Sequence, residues 1–161
     1  MIMDRERTSM EISKADIKDA EEILALQKRA FKQEAELYGD YNIEPLTVCL
    51  ENTVEEFRRS VVLKMMHGWK IVGSVMGMLK DGACHIGKLI VDPEHQNRGH
   101  GAALMRAIEK EFPDCRWFEL FTGEKSLNNL NLYKKLGYKI TGTEKLTEKV
   151  SLVNMIKDNA V

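Results

Sequence analysis

Apolar residues recur along this chain with two different periods, and the switches between them predict its elements. Met10 to Ser13 predicts a short first strand. Asp16 stands where a helix N-cap belongs, because Ala20, Ile23, Leu24, Ala30 and Phe31 follow at helical spacing. Residues 33–52 show no clear period and contain Gly39, Pro45 and two tyrosines, so they predict a long connection with little regular structure. Thr53, followed by Glu55 and Glu56, predicts the cap and first turn of a shorter helix reaching about Arg59.

The pattern then turns to strands. Val61 to Met66 is apolar except for Lys64, and Trp69 to Leu79 is a second such run. Lys80-Asp81-Gly82 separates it from a third, Ala83 to Val91, and Asp-Gly between apolar runs is a strong hairpin signal. The three strands predict an antiparallel meander that stops at Asp92-Pro93. From Gly99 to Phe112 the period is helical again, with Ala103, Leu104, Ala107, Ile108 and Phe112 on one face and Pro113 as the stop. Trp117 to Phe121 predicts a strand that can pair in parallel with the one ending at Val91, across the intervening helix. A helix over about Ser126–Leu136, with Gly137 as its C′ residue, and strands over Tyr138–Gly142 and Lys149–Ile156 complete the chain. The expected fold is α+β, a mostly antiparallel twisted sheet with one parallel βαβ unit and flanking helices. No repeat or low-complexity stretch interrupts it, so residues 1–161 read as one domain with an ordered core over about 10–157.

Composition narrows the class without naming it. With 161 residues, 43% hydrophobic and 30% charged, the chain has the make-up of a soluble globular protein. Lys and Arg number 24 against 25 Asp and Glu, which argues against a nucleic-acid-binding module. The basic cluster Lys28, Arg29 and Lys32 is offset by Glu34 and Glu36 and reads as a solvated face. Cys49, Cys84 and Cys115 are too far apart for a zinc motif and odd in number, which favours reduced thiols. The first residues are polar and charged, without the apolar run of a signal peptide, and no stretch approaches a bilayer span. A cytoplasmic protein is expected, with no metal and no membrane partner.

The chemistry concentrates in Gln96-Asn97-Arg98-Gly99-His100-Gly101, between the strand ending at Val91 and the helix that follows. A helix start offers unpaired backbone N–H groups and partial positive charge to phosphate oxygens. Glycines at 99 and 101 let the backbone approach such oxygens, and Arg98 adds charge. A P-loop would need Gly-Lys-Ser/Thr here, and a dinucleotide fingerprint would need glycine where Leu104 stands. Both templates fail. Taken alone, the remaining GxG is also compatible with an ordinary turn and cap.

The whole segment from Val91 through Gly101 resembles the acetyl-CoA signature of the GNAT superfamily (GCN5-related N-acetyltransferases), whose loop reads Gln/Arg-x-x-Gly-x-Gly/Ala. A second block, from Asn129 through Tyr133 to Gly137 and Tyr138, follows at the family's usual distance. The resemblance covers about residues 10–157 and implies the GNAT fold and transfer of acetyl from acetyl-CoA to an amine. It implies that Leu89, Ile90 and Val91 offer main-chain groups to the pantetheine arm, and that Gln96, Asn97, Arg98, Gly99, His100, Gly101 and Ala102 cradle the pyrophosphate. Tyr133 falls where many members place the acid that protonates the departing thiolate, and a phenol is neutral at physiological pH. Asn129 lies one turn earlier on the same face, where some relatives contact the cofactor arm.

An amine nucleophile must also lose a proton, since an alkyl ammonium has a pKa of about 10.4. Several members use a Glu four residues ahead of the position matched by Leu89, and here that position holds His85. Strict alternation would put His85, Gly87, Leu89 and Val91 on one face. Glu119, on the following strand, is the second candidate base, acting through water. The family binds its acceptor with the segments matched by 33–52 and 142–150. The first is acidic, with Glu34, Glu36, Asp40, Glu44 and Glu51 around Tyr38 and Tyr41, which suits a cationic amine, small or peptidyl. Two other readings stay open: a non-catalytic acyl-CoA-binding sensor or interaction module, and a nucleotide-binding protein using the same helix end. A homodimer is one assembly the sequence allows.

Overall fold

The computed structural model describes residues 9–159, so the expectation that the polar residues 1–9 are loose lies, except for Ser9, outside the described part. Strand β1 is Met10–Lys14. Asp16 caps only a single 3-10 turn, Ile17–Asp19. Its carboxylate accepts from the Lys18 N–H, while Asp19 accepts from the Asp16 N–H in return. Helix α1 then runs Ala20–Tyr38.

The stretch 33–52 is the main correction to the sequence reading. It is mostly helical: α1 continues to Tyr38, a short α2 spans Glu44–Thr47, and α3 spans Leu50–Arg59. The apolar stripe of α1 goes on through Ala35 and Tyr38, both buried between exposed polar residues, until Gly39 ends the helix at φ +63°. Thr53 is not the cap of α3. It lies inside the helix, buried, with its hydroxyl donating to the Cys49 carbonyl at 3.2 Å.

Strands β2 (Val61–His67), β3 (Lys70–Lys80) and β4 (Ala83–Val91) form the expected meander. Helix α4 is His100–Lys110, β5 is Trp117–Gly123, α5 is Leu127–Lys135, β6 is Lys139–Lys145 and β7 is Ser151–Asp158. The seven strands order as β1-β2-β3-β4-β5-β7-β6, antiparallel throughout except for β4 beside β5. One face of the sheet is covered by α4 and α5 through Leu104, Met105, Ile108, Leu130 and Tyr133. The other is covered by α1 and α3 through Ala20, Ile23, Leu26 and Phe57.

Two irregularities of β4 create the site. Its parallel pairing with β5 covers only Ala83–His85 against Trp117–Glu119, so beyond residue 85 the two strands part. The register with β3 also shifts: Gly87 opposes Met76, but Ile90 opposes Ser74. Lys88 sits in this bulge at φ +51°, and its ammonium is held by Glu56 at 2.8 Å and Glu44 at 3.4 Å. The extra residue reverses the alternation. Cys84 and Ile86 pack toward α4, as do Leu89 and Val91, while Ile90 packs toward α1. His85 and Gly87 therefore lie on the opposite face from Leu89 and Val91, contrary to strict alternation.

Candidate active site

A cavity of about 720 Å³ opens where β4 and β5 part. Leu89, Ile90 and Val91 form its floor, and the loop and first turn before α4 form one wall. The second wall is the last part of α1, including Glu34 and Leu37. The third is the residues entering α5, including Ser126 and Asn129. Because β5 leaves β4 after His85, the β4 edge from Ile86 onward has no strand partner on that side. Its main-chain groups are available to an extended ligand laid along the strand.

Among the described residues, the loop presents unpaired amides at a helix start. Asp92 ends β4, buried, accepting from the Glu94 N–H at 3.0 Å, with Arg29 at 3.4 Å and Lys70 at 3.5 Å. Burial works to raise its pKa, but the amide and the two cations outweigh it and hold the carboxyl below its ordinary value. Gln96 ties the loop back by donating to the Val91 carbonyl at 3.1 Å. Asn97 and Gly99 take the left-handed φ of +63° and +83°. The Ala103 N–H closes the first helical bond on Gly99, while no N–H from Gln96 to Ala102 has a backbone acceptor among the described residues. A Cβ built on Gly99 meets nothing within 4 Å, so its side faces open space. Arg98 is the loop's cation. Burial, followed by the nearby His95, Arg98 and His67, holds the His100 imidazole below its ordinary value of 6.5, so His100 adds no charge at neutral pH.

The sequence candidates separate into four groups, one of which is Arg98 alone, an exposed loop residue that does not border the cavity. Leu89, Ile90, Val91, Gln96, Asn97, Gly99, His100, Gly101, Ala102 and Asn129 all border the cavity. Tyr133 is buried behind it in the α4–α5 core, with its ring edge-on to Tyr138 at 6.0 Å. Burial and then the Glu34 carboxylate push the Tyr133 phenol well above the ordinary tyrosine range. His85 and Glu119 are brought together: Nε2 stands 2.9 Å from Oε1, and the Trp117 indole N–H donates to Oε2 at 2.9 Å. Neither His85 nor Glu119 borders the cavity. Among the described residues, no group of three His, Cys, Asp or Glu side chains could hold a metal ion, and no helix is long and apolar enough to cross a membrane.

Sequence reasoning names Glu34 and Tyr38 in the acidic acceptor segment but does not join them to Ser126 on the far wall. Ser126 is buried and donates its hydroxyl to Glu34 Oε2 at 2.6 Å. Tyr38 Oη lies 2.9 Å from Ser126 Oγ and accepts from the Lys125 N–H at 2.9 Å. Gly123 lets Tyr38 reach this point, since a Cβ there would fall 1.8 Å from the tyrosine oxygen. These groups are some 90 residues apart in the chain, and no local pattern announces their meeting. The two acceptor segments meet as well, with Lys149 Nζ donating to the Gly39 carbonyl at 3.0 Å.

Comparison with known proteins agrees with this architecture. The crystal structure of the PaiA N-acetyltransferase from Thermoplasma acidophilum in complex with coenzyme A superposes with a TM-score of 0.78 at 19% identity, covering 94% of this chain and 99% of that one. The ribosomal-protein-S18-alanine N-acetyltransferase from Escherichia coli gives 0.79 at 15% identity, covering 95% and 96%. The yncA protein of Salmonella typhimurium with its cofactor acetyl-CoA gives 0.75 at 18% identity, covering 96% of each chain. At such identities the likeness establishes the fold. No curated protein matches the chain in sequence. The profile of the family described as "Acetyltransferase (GNAT) domain" matches residues 32–159, most of the chain. The chain therefore belongs to the GNAT acetyltransferase family.

Proposed function

We propose that the protein is an N-acetyltransferase that passes acetyl from acetyl-CoA directly to a primary amine while both are bound. One observation carries the reading. The unpaired edge of β4 leads into a loop of unbonded amides at the start of α4, along a single cavity. A long thioester with a pyrophosphate matches that sequence of groups: hydrogen bonding along the strand, then an anion site at a helix end. Two of the structural neighbours were crystallised with coenzyme A or acetyl-CoA, which supports the same cosubstrate here.

In this reading the Leu89 N–H faces the acetyl carbonyl and polarises it, and Val91 holds the arm by its main chain. Residues Gln96 to Ala102 hold the pyrophosphate, and Asn129 contacts the arm from α5. Tyr133 protonates the leaving sulfur. Burial keeps the phenol protonated at neutral pH, the form a donor needs, although Tyr133 stands behind the cavity and not on its lining. His85 and Glu119 form one hydrogen-bonded unit. As a base it acts through water, since neither residue borders the cavity. The acceptor enters between the end of α1 and the β6–β7 turn.

The test is a panel of small amines and peptides incubated with acetyl-CoA and read by free-thiol release. Release that depends on an amine supports the enzyme. Coenzyme A binding with no release for any amine would favour a non-catalytic acyl-CoA sensor.

A further inference from the structure

We propose that Glu34 receives the acceptor's ammonium group and takes its first proton, with Ser126 and Tyr38 as the residues that position it. The inference rests on the acetyltransferase reading above and assigns the acceptor side of the same site.

Glu34 is a carboxylate on the cavity wall, across from the helix-start loop. Its Oε2 accepts the Ser126 hydroxyl at 2.6 Å. Ser126 Oγ, having given its own hydrogen, accepts from Tyr38 at 2.9 Å, and the Tyr38 oxygen accepts from the Lys125 amide at 2.9 Å. Every bond in this chain then points the same way, from a fixed main-chain N–H to one carboxylate oxygen. Ser126 and Tyr38 are 4% and 7% exposed, so the chain is sheltered and its geometry set by packing. Glu34 Oε1 has no hydrogen-bond or ion-pair partner among the described residues. One oxygen is anchored and the other is free, which is the arrangement a carboxylate needs to bind an ammonium and accept its proton.

Two further facts point the same way. The His85–Glu119 pair, the alternative, engages both Glu119 oxygens internally and lies off the cavity. The field of Glu34 also reaches Tyr133, where it helps the phenol keep its proton. Lys125, whose ammonium lies 5.9 Å from the Tyr38 ring centre, and Lys135 are cations on the same cavity.

The step balances. The alkyl ammonium gives one proton to Glu34, and the freed nitrogen attacks the thioester carbonyl carbon. The C–S bond breaks with its electron pair on sulfur, which takes the Tyr133 proton. The adduct nitrogen loses its second proton through water to the His85–Glu119 pair. Solvent then reprotonates Tyr133 and takes the protons held by Glu34 and the pair, leaving amide, thiol and one net proton.

The experiment compares wild type with Glu34→Gln on two acceptors chosen from the panel: an alkyl amine, charged at the assay pH, and an arylamine, neutral there. Glu34→Gln is expected to lower kcat on the alkyl amine about 100-fold. It should stay within about threefold of wild type on the neutral nucleophile, with coenzyme A affinity unchanged as the check on folding. Ser126→Ala and Tyr38→Phe should show the same selectivity in weaker form, about 5–10-fold on the charged amine. Equal losses on both acceptors, or full activity of Glu34→Gln on the alkyl amine, would overturn the assignment while leaving the enzyme reading intact. If wild type acetylates no amine at all, the enzyme reading fails and this assignment with it.

Discussion

Gly123→Ala should be costly out of proportion to the one methyl group it adds. The new Cβ would stand 1.8 Å from Tyr38 Oη, 2.5 Å from Cζ and 3.0 Å from Cε2. No rotation of a hydroxyl relieves contact with the ring carbons, so Tyr38 or the end of β5 must move. Displacing Tyr38 breaks its bonds to Ser126 and Lys125, each worth about 1 kcal/mol net. Forcing extra volume into a packed region adds about 1–3 kcal/mol. Together the loss is about 4 kcal/mol, or on the order of 10 °C in melting temperature for a chain of this size. Denaturant titration measures it, and the Tyr38→Leu background supplies the control. There the same substitution should cost under about 1 kcal/mol, because the two effects act on one contact. A Gly123→Ala protein melting within 2 °C of wild type, or equal costs in both backgrounds, would refute the reasoning.

Other outcomes follow from single features of the site. Tyr133→Phe should lower turnover about 100-fold while coenzyme A affinity stays within about twofold, by titration and steady-state kinetics; unchanged turnover removes the acid role. Gly99→Ala places a side chain at φ +83°, so stability should fall by about 1–2 kcal/mol and coenzyme A affinity with it. An Ala variant that binds as wild type does would show that the loop conformation is not needed. Asp92 has its pKa held below its ordinary value of 3.8 in the folded protein. Its contribution is therefore present above the unfolded carboxylate value and is lost as pH falls through the lower folded value. Asp92→Asn should lower stability at pH 7 by about 1–3 kcal/mol and by progressively less below about pH 4, read by urea melts across pH. A penalty that does not shrink with acid would contradict the pairing. His85→Gln should lower turnover and alter the acidic side of the pH–rate profile, and an unshifted acidic limb with full rate would remove His85 from the base pair.

The sequence spoke clearly where structure is decided locally. Asp81-Gly82 marks a hairpin, Pro113 ends α4 soon after Lys110, and Gly137 follows α5 at φ +100°. The loop before α4 was legible for the same reason, since its glycines and its place between strand and helix are consecutive in the chain. The extent of α1 was not, because a stripe carried by one alanine and one tyrosine among charged residues barely registers as apolar. The bulge at Lys88 was also hidden. Lysine has no preference for positive φ, and the turn is stabilised by Glu44 and Glu56 from distant helices. That bulge puts His85 and Leu89 on opposite faces, so strict alternation along β4 misplaces His85 although the extent of the strand is as expected. The Glu34–Ser126–Tyr38 wall depends on contacts across about 90 residues, which periodicity cannot register.

The central claim is that the cavity between β4 and β5 holds acyl-CoA, with its pyrophosphate on the amides that begin α4. Calorimetric titration with coenzyme A tests it most directly, on wild type and on Gly99→Val, whose folding is verified by circular dichroism. The account predicts one binding site per chain in wild type, weakened at least about tenfold in the variant by the side chain and the strained backbone. Absence of binding to wild type, or equal affinity in a folded Gly99→Val protein, would contradict it.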